Sequence, residues 1–177
     1  MNMKRMKKMI ALVMAATMLI TIAGCRRKIK KVNEDAVIDA LEDVLDLEEV
    51  PLMESWELHD NSDYYYVVEF DDGSLNVSGH VHNDGDPRAG TNIMFYIQDD
   101  KDDAEDKFLE YYENYENMDP DVMYYKEGEW GYIIMDRGSV FTAVYYIDDT
   151  LLWVHGGTEE NAEYGREFIR ELGLPLK

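Results

Sequence analysis

Apolar residues recur at helical spacing in three stretches of the chain, and this pattern predicts three helices. The predicted helices cover about 34–47, 101–116 and 159–172. Asn33 and Thr158 directly precede the first and the last of these stretches. Both side chains can accept a hydrogen bond from the first turn, so we expect them to be N-caps.

Other stretches alternate apolar and polar residues or are rich in branched and aromatic residues, which is typical of strands. The predicted strands cover 64–70, 75–81, 91–98, 122–126, 130–135, 139–147 and 151–155. Pairs of turn-forming residues separate the last four strands, so we expect a four-stranded meander at 122–156. The sequence therefore predicts an α+β fold: a largely antiparallel sheet of about seven strands with about three helices packed on it.

The strand predicted at 139–147 is apolar on both faces. An antiparallel sheet with one face in water alternates more cleanly between apolar and polar positions. Three helices are few for covering two faces, so we expect some aromatic surface to stay open for a partner. The residues that we assign to this interaction face are Tyr65, Tyr96, Val144 and Tyr146.

The N-terminal segment has the layout of a secretory signal: basic residues, then an uncharged run over 9–22 that ends at small residues. This run is shorter than the roughly 20 residues that span a bilayer. It ends in Ile22-Ala23-Gly24-Cys25, which resembles the lipobox of bacterial lipoprotein precursors. The resemblance implies cleavage before Cys25 and lipid attachment to its sulfur. Residues 1–24 would then be the signal peptide, and the protein would be lipid-anchored on the extracytoplasmic face of the cell membrane.

Charge divides the chain at the end of a basic segment, 25–33, which we interpret as a tether. Nine of the 17 Lys and Arg precede residue 32, whereas all 38 Asp and Glu follow it, so 32–177 carries a formal charge of −30. Phosphates would repel such a domain, which argues against nucleic acid as a partner. A protein or peptide with a basic surface fits better, although high acidity also serves solubility alone. The sequence gives no indication of oligomeric state.

Two groups of polar residues are candidate metal sites. His80 and His82 stand two apart on a predicted strand, and Asp84 and Asp86 follow in a loop, a combination that could hold Zn²⁺, with His155 as a further ligand if folding brings it near. The acidic run 99–106 and the loop 83–86 could instead bind Ca²⁺, which prefers oxygen ligands. The spacing is not that of an EF-hand loop, and favourable interaction of acidic residues with a helix N-terminus is already a sufficient explanation of the run.

Catalytic motifs are sparse. The chain has no Gly-x-Ser-x-Gly elbow, no His-Glu-x-x-His and no phosphate-binding glycine loop, and the lone cysteine belongs to the lipobox. We therefore expect the acidic domain, 34–177, to be a non-catalytic binding module for a protein, a peptide or a wall component. A calcium- or zinc-dependent surface module is one alternative. A wall-active hydrolase with paired carboxylates is another, because the fold rather than the sequence assembles such pairs.

Overall fold

The computed structural model describes residues 29–53, 55, 62–83, 90–118 and 121–176. The predicted α+β class is confirmed within these ranges, which contain three helices and one sheet of eight strands. In chain order the elements are α1 (Glu34–Leu45), β1 (Glu48–Glu49), β2 (Tyr64–Glu69), β3 (Leu75–Val81), β4 (Thr91–Ile97), α2 (Lys101–Met118), β5 (Met123–Glu127), β6 (Trp130–Asp136), β7 (Phe141–Ile147), β8 (Thr150–Gly156) and α3 (Glu159–Glu171). The predicted signal peptide, 1–24, and Cys25 lie outside the described residues.

The strands are ordered β1-β2-β3-β4-β8-β7-β6-β5 across the sheet. The last four strands form the predicted meander, and it joins the first half of the sheet where β4 and β8 pair antiparallel. One strand, β1, is additional to the seven predicted; it lies at the edge of the sheet and pairs parallel to β2. It consists of two exposed glutamates, too short and too polar to show a strand period in the sequence.

Both predicted N-caps are in place. The Asn33 Oδ1 atom accepts a hydrogen bond of 3.1 Å from the backbone N–H of Ala36. The Thr158 hydroxyl accepts one of 3.3 Å from the N–H of Asn161. The first helix ends two residues earlier than predicted because Asp46 adopts a left-handed conformation with φ 54°.

Helices lie on both faces of the sheet. On one face, α3 packs on the central strands while α1 packs on α3 and β3, around a core that includes Phe95, Phe141 and Phe168. On the other face, α2 packs on β7 and β8 through Ala104 and Phe108. The doubly apolar strand β7 is therefore buried from both sides, and all seven of its residues are buried.

Three helices do not cover a sheet of this width. Eight strands spaced about 4.8 Å apart are roughly 34 Å across, whereas a helix covers ~10 Å. The face that carries α1 and α3 is left without a packed helix over β5 and β6, within the part of the chain that the structure describes. No helix in these ranges is long and apolar enough to cross a bilayer.

Candidate functional site

The predicted interaction face is not a single surface. Val144 and Tyr146 are fully buried, because α2 covers this part of the sheet. Tyr65 points to the opposite face, where it is 2% exposed and its hydroxyl donates to Glu42 Oε1 at 2.5 Å. Only Tyr96 of the four is partly accessible. The expectation of one aromatic face through these residues was therefore wrong, because sequence periodicity does not show which face a helix will cover.

The two histidines of the proposed zinc site separate at the end of β3. His80 lines a small cavity together with Tyr64 and Asn92, and its Nδ1 atom lies 2.9 Å from Asn92 Oδ1. His82 follows the last residue of the strand and lines a different cavity beside α3. The i, i+2 rule holds for positions within one strand, and His82 lies one residue beyond the end of β3. Asp84 and Asp86 lie outside the described residues.

His155 is brought to the same face as His80. Asn92 pairs with His80 on one side and with His155 on the other, so the backbones of the two histidines lie two strand spacings apart. The Nδ1 atom of His155 lies 2.9 Å from the Thr142 hydroxyl, and burial lowers its pKa. Within the described ranges no group of three or more His, Cys, Asp or Glu is arranged to hold a metal ion.

The acidic run 99–106 begins α2. The Asp100 carboxylate accepts hydrogen bonds of 2.8 and 3.0 Å from the backbone N–H groups of Asp102 and Asp103. Lys101, the first residue of α2, pairs at 2.6 Å with Glu129, which lies in the turn between β5 and β6. Within the run, capping uses the Asp100 carboxylate and an ion pair with Lys126 uses that of Glu105, as the alternative to a Ca²⁺ site expects.

The uncovered part of the sheet over β5 and β6 is aromatic. Tyr125 lies 4.9 Å from Trp130 and 5.6 Å from Tyr132, ring centroid to ring centroid. Tyr132 in turn lies 6.3 Å from the buried ring of Tyr145, which continues the row toward the core. The register places these rings on one face, because Tyr125, Tyr132 and Tyr145 are direct neighbours across three strands.

Two adjoining cavities lie beside this aromatic row, and both are lined by Ile29, Lys30 and Trp130. One has a volume of about 900 Å³ and is also lined by Ile147 and the turn 127–129. The other, of about 620 Å³, extends over Tyr132 to the C-terminal segment 171–175. We call the two cavities together the aromatic groove.

The C-terminal wall of the groove is fixed by hydrogen bonds and burial. The hydroxyl of Tyr145 donates to the carbonyl of Pro175, and burial raises the pKa of that hydroxyl. Leu174 is buried in the same core. The backbone N–H of Leu174 donates to the carbonyl of Ile169 at the end of α3. The wall therefore does not depend on a ligand for its position.

The rim of the groove is acidic on the sheet side. Glu127, Glu129 and Asp148 line the larger cavity, and Glu171 lines the smaller one. The basic groups among the described lining residues, Lys30 and Lys31, come from the N-terminal tether. Lys31 forms ion pairs with Asp148, at 3.6 Å, and with Asp149.

The rim carboxylates differ from a glycosidase pair in their surroundings. A general acid of that kind needs a carboxyl in an apolar setting that raises its pKa. The Glu129 side chain is 63% exposed and paired with Lys101, and the Asp148 side chain is 49% exposed and faces Lys31. The hydrolase alternative stays a prediction, and neither Glu129 nor Asp148 has the apolar setting of its general acid.

Sequence reasoning missed the groove because its residues show no special motif. The sequence shows the turn residues Glu127-Gly128 and the tyrosines at 124–125. It does not show that the helices leave this edge of the sheet open. Trp130, at the start of β6, was the available signal, since a large aromatic side chain beside a turn often lies at a surface. Models of protein families, curated proteins and solved structures give no match to this chain.

Proposed function

We propose that this chain is a lipid-anchored surface protein whose acidic domain is a non-catalytic binding module, and that the aromatic groove binds a basic, aliphatic segment of a protein or peptide. The proposal rests above all on one observation: Trp130, whose ring lies 4.9 Å from that of Tyr125, shares the larger cavity with Glu127, Glu129 and Asp148. Aromatic faces attract cations and pack against the aliphatic stems of Lys and Arg. Carboxylates at the rim fit the charged ends of the same side chains.

The charge of the domain favours the same class of partner. Residues 32–177 carry a formal charge of −30. This charge attracts a basic segment from a longer distance than the direct contacts in the groove can. Long-range attraction alone would be unspecific and would weaken with salt. The groove adds apolar contacts that salt does not screen, and these give the site its selectivity.

Binding is tested with the free peptide Arg-Arg-Lys-Ile-Lys-Lys, a basic and aliphatic probe, and with the mature chain from Cys25 onward. We expect Trp130→Ala to weaken binding at least about tenfold, because a central aromatic side chain supplies much of the energy of such a site. Phe70→Ala is the matched control, since Phe70 is 52% exposed and does not line the groove. Titration calorimetry measures both affinities, and a thermal melt shows whether each variant is folded.

Two results would contradict the binding proposal. Equal affinity for the wild type and Trp130→Ala would show that the peptide responds only to overall acidity. An equal loss in Phe70→Ala would show that aromatic surface in general, and not the groove, binds the probe.

The anchor is tested in cells. The lipobox resemblance implies that Cys25→Ser abolishes fatty-acid labelling and leaves an uncleaved precursor. Labelling together with normal processing in this variant would contradict the anchor and leave the binding proposal untouched.

A further inference from the structure

Residues 29–31 of the tether form part of the lining of the aromatic groove. Ile29 is partly buried and packs against the main core, and Lys30 lines both cavities. Lys31 pairs with Asp148 and Asp149 in the turn that follows β7. The segment Ile-Lys-Lys thus has the chemistry that we propose for the partner: an aliphatic residue followed by two cations.

From these contacts we infer that Ile29–Lys31 is a resident occupant that a partner must displace, so that the tether regulates access to the groove. This inference rests on the proposed function of the groove. It goes further because it assigns a competing, intramolecular ligand to the same site.

The position of the next residue makes the competition effective. Val32 is 6% exposed and belongs to the core, so residues 29–31 are held beside the groove. A segment attached this closely has an effective concentration on the order of millimolar. A partner present at micromolar concentration competes successfully only if its contacts are better or more numerous than those of the tether.

The tether contacts are also weak enough to be displaced. The Lys31 side chain is 43% exposed and Asp149 is 31% exposed, so water and salt screen this ion pair. Ile29 is only partly buried. The docked segment should therefore lower the apparent affinity of a partner only modestly. The apparent affinity is the intrinsic affinity multiplied by the fraction of chains in which the groove is open.

The test compares Ile29→Ser, Lys31→Gln and Lys107→Gln in binding the free peptide Arg-Arg-Lys-Ile-Lys-Lys. Ile29→Ser removes the apolar contact of the tether without changing charge, and we expect it to tighten binding about two- to fivefold. Lys31→Gln removes the ion pair and is expected to act in the same direction. Lys107→Gln is its matched control, because Lys107 is 48% exposed, pairs with Glu110 and lies outside the groove. Lys31→Gln should tighten peptide binding more than Lys107→Gln does, although both variants remove one positive charge.

The outcomes separate the two proposals. Absent binding, or binding that does not depend on Trp130, overturns the proposed function. Binding that depends on Trp130 but is unchanged or weaker in Ile29→Ser supports the groove and overturns the resident tether, whatever Lys31→Gln does.

Discussion

Two buried tyrosines of this fold donate their hydroxyl hydrogen bonds to carboxylates of the helices that cover them. Tyr65 donates to Glu42 of α1, and Tyr146 donates to Glu105 of α2 at 3.1 Å. Burial raises the pKa of both hydroxyls, so they remain neutral donors. Tyrosine can therefore occupy positions under a helix that would otherwise require phenylalanine.

Tyr146→Glu is expected to destabilise the domain by at least ~3 kcal/mol, because it places a carboxylate in the apolar layer beside Phe108 and close to Glu105. Tyr146→Phe removes only the hydrogen bond and should cost about 1 kcal/mol. Urea denaturation measures both. Phe70→Glu, at a residue that is 52% exposed, should stay within ~0.5 kcal/mol of the wild type. Wild-type stability in Tyr146→Glu would mean that α2 does not cover this face.

Glu105 should make part of the stability dependent on pH. Lys126, at 2.9 Å, hydrogen-bonds the Glu105 carboxyl and holds its pKa below the ordinary 4.5. A pKa that is lower in the folded state gives a contribution that is complete above pH 4.5 and is lost as pH falls through the folded pKa. The difference in unfolding free energy between the wild type and Glu105→Gln should thus be complete at about pH 7 and smaller at about pH 3. It should stay below ~1 kcal/mol, because Glu105 is 36% exposed.

The control for this pH profile is Glu113→Gln, at an exposed position of the same helix. We expect no comparable difference for it at either pH. If the difference in unfolding free energy between the wild type and Glu105→Gln did not shrink at low pH, the substitution would act through packing and not through the ion pair.

At the scale of elements, the end of β8 touches the first turn of α3 with backbone against backbone. A Cβ atom on Gly156 would lie 2.3 Å from the carbonyl oxygen of Asn161. The same carbonyl and the Asn161 side chain both accept from the hydroxyl of Thr91 at 3.0 Å. The junction between strand and helix is thus tied to the neighbouring strand β4 and has no room to move.

Gly156→Ala is expected to cost about 1–3 kcal/mol, because neither backbone can yield without disturbing these hydrogen bonds. Gly165, in the middle of α3, is the matched comparison. Its Cβ atom would meet side-chain atoms of Phe141 and Val154 at 3.1 and 3.2 Å, and these can shift slightly. A gain of ~1 kcal/mol in helix propensity opposes that strain, so Gly165→Ala should stay within ~1 kcal/mol of the wild type. Similar unfolding free energies for the two variants would contradict the backbone contact at Gly156.

Local signals made most of the elements predictable, because caps, turns and apolar periods depend on neighbouring residues. Asn33 and Thr158 are examples. The assignment of residues to open or covered surface was not predictable, because it depends on which strands each helix crosses. Val144 and Trp130 both belong to strands rich in apolar residues, yet α2 buries the first while no described helix packs over the second. The groove is a consequence of helix placement, and so its residues were not found from the sequence.

At the scale of the whole molecule, charge is the dominant property, and the described ion pairs leave most of it uncompensated. The domain from 32 to 177 has 38 acidic residues and eight basic ones. Self-repulsion of this size destabilises the compact state and should be relieved by any cation that screens it. A basic partner in the aromatic groove would supply part of the same relief, so partner binding and salt should stabilise the domain in the same direction.

A comparison of Ca²⁺ with Mg²⁺ distinguishes electrostatic screening of the acidic residues from binding at a specific site. We expect equal, small rises in Tm for the mature chain at equal ionic strength, because the Asp100 carboxylate is used in capping α2. A specific site at a hundred times its Kd would add ~2.7 kcal/mol, or roughly 5–10 °C for a domain of this size. A thermal melt against a chelator control measures the difference. A rise of that size with Ca²⁺ alone would contradict screening and favour the calcium-dependent alternative. The acidic loop 83–86 would then be the first place to introduce Asp→Asn substitutions, because Asp84 and Asp86 offer carboxylates outside the capped helix.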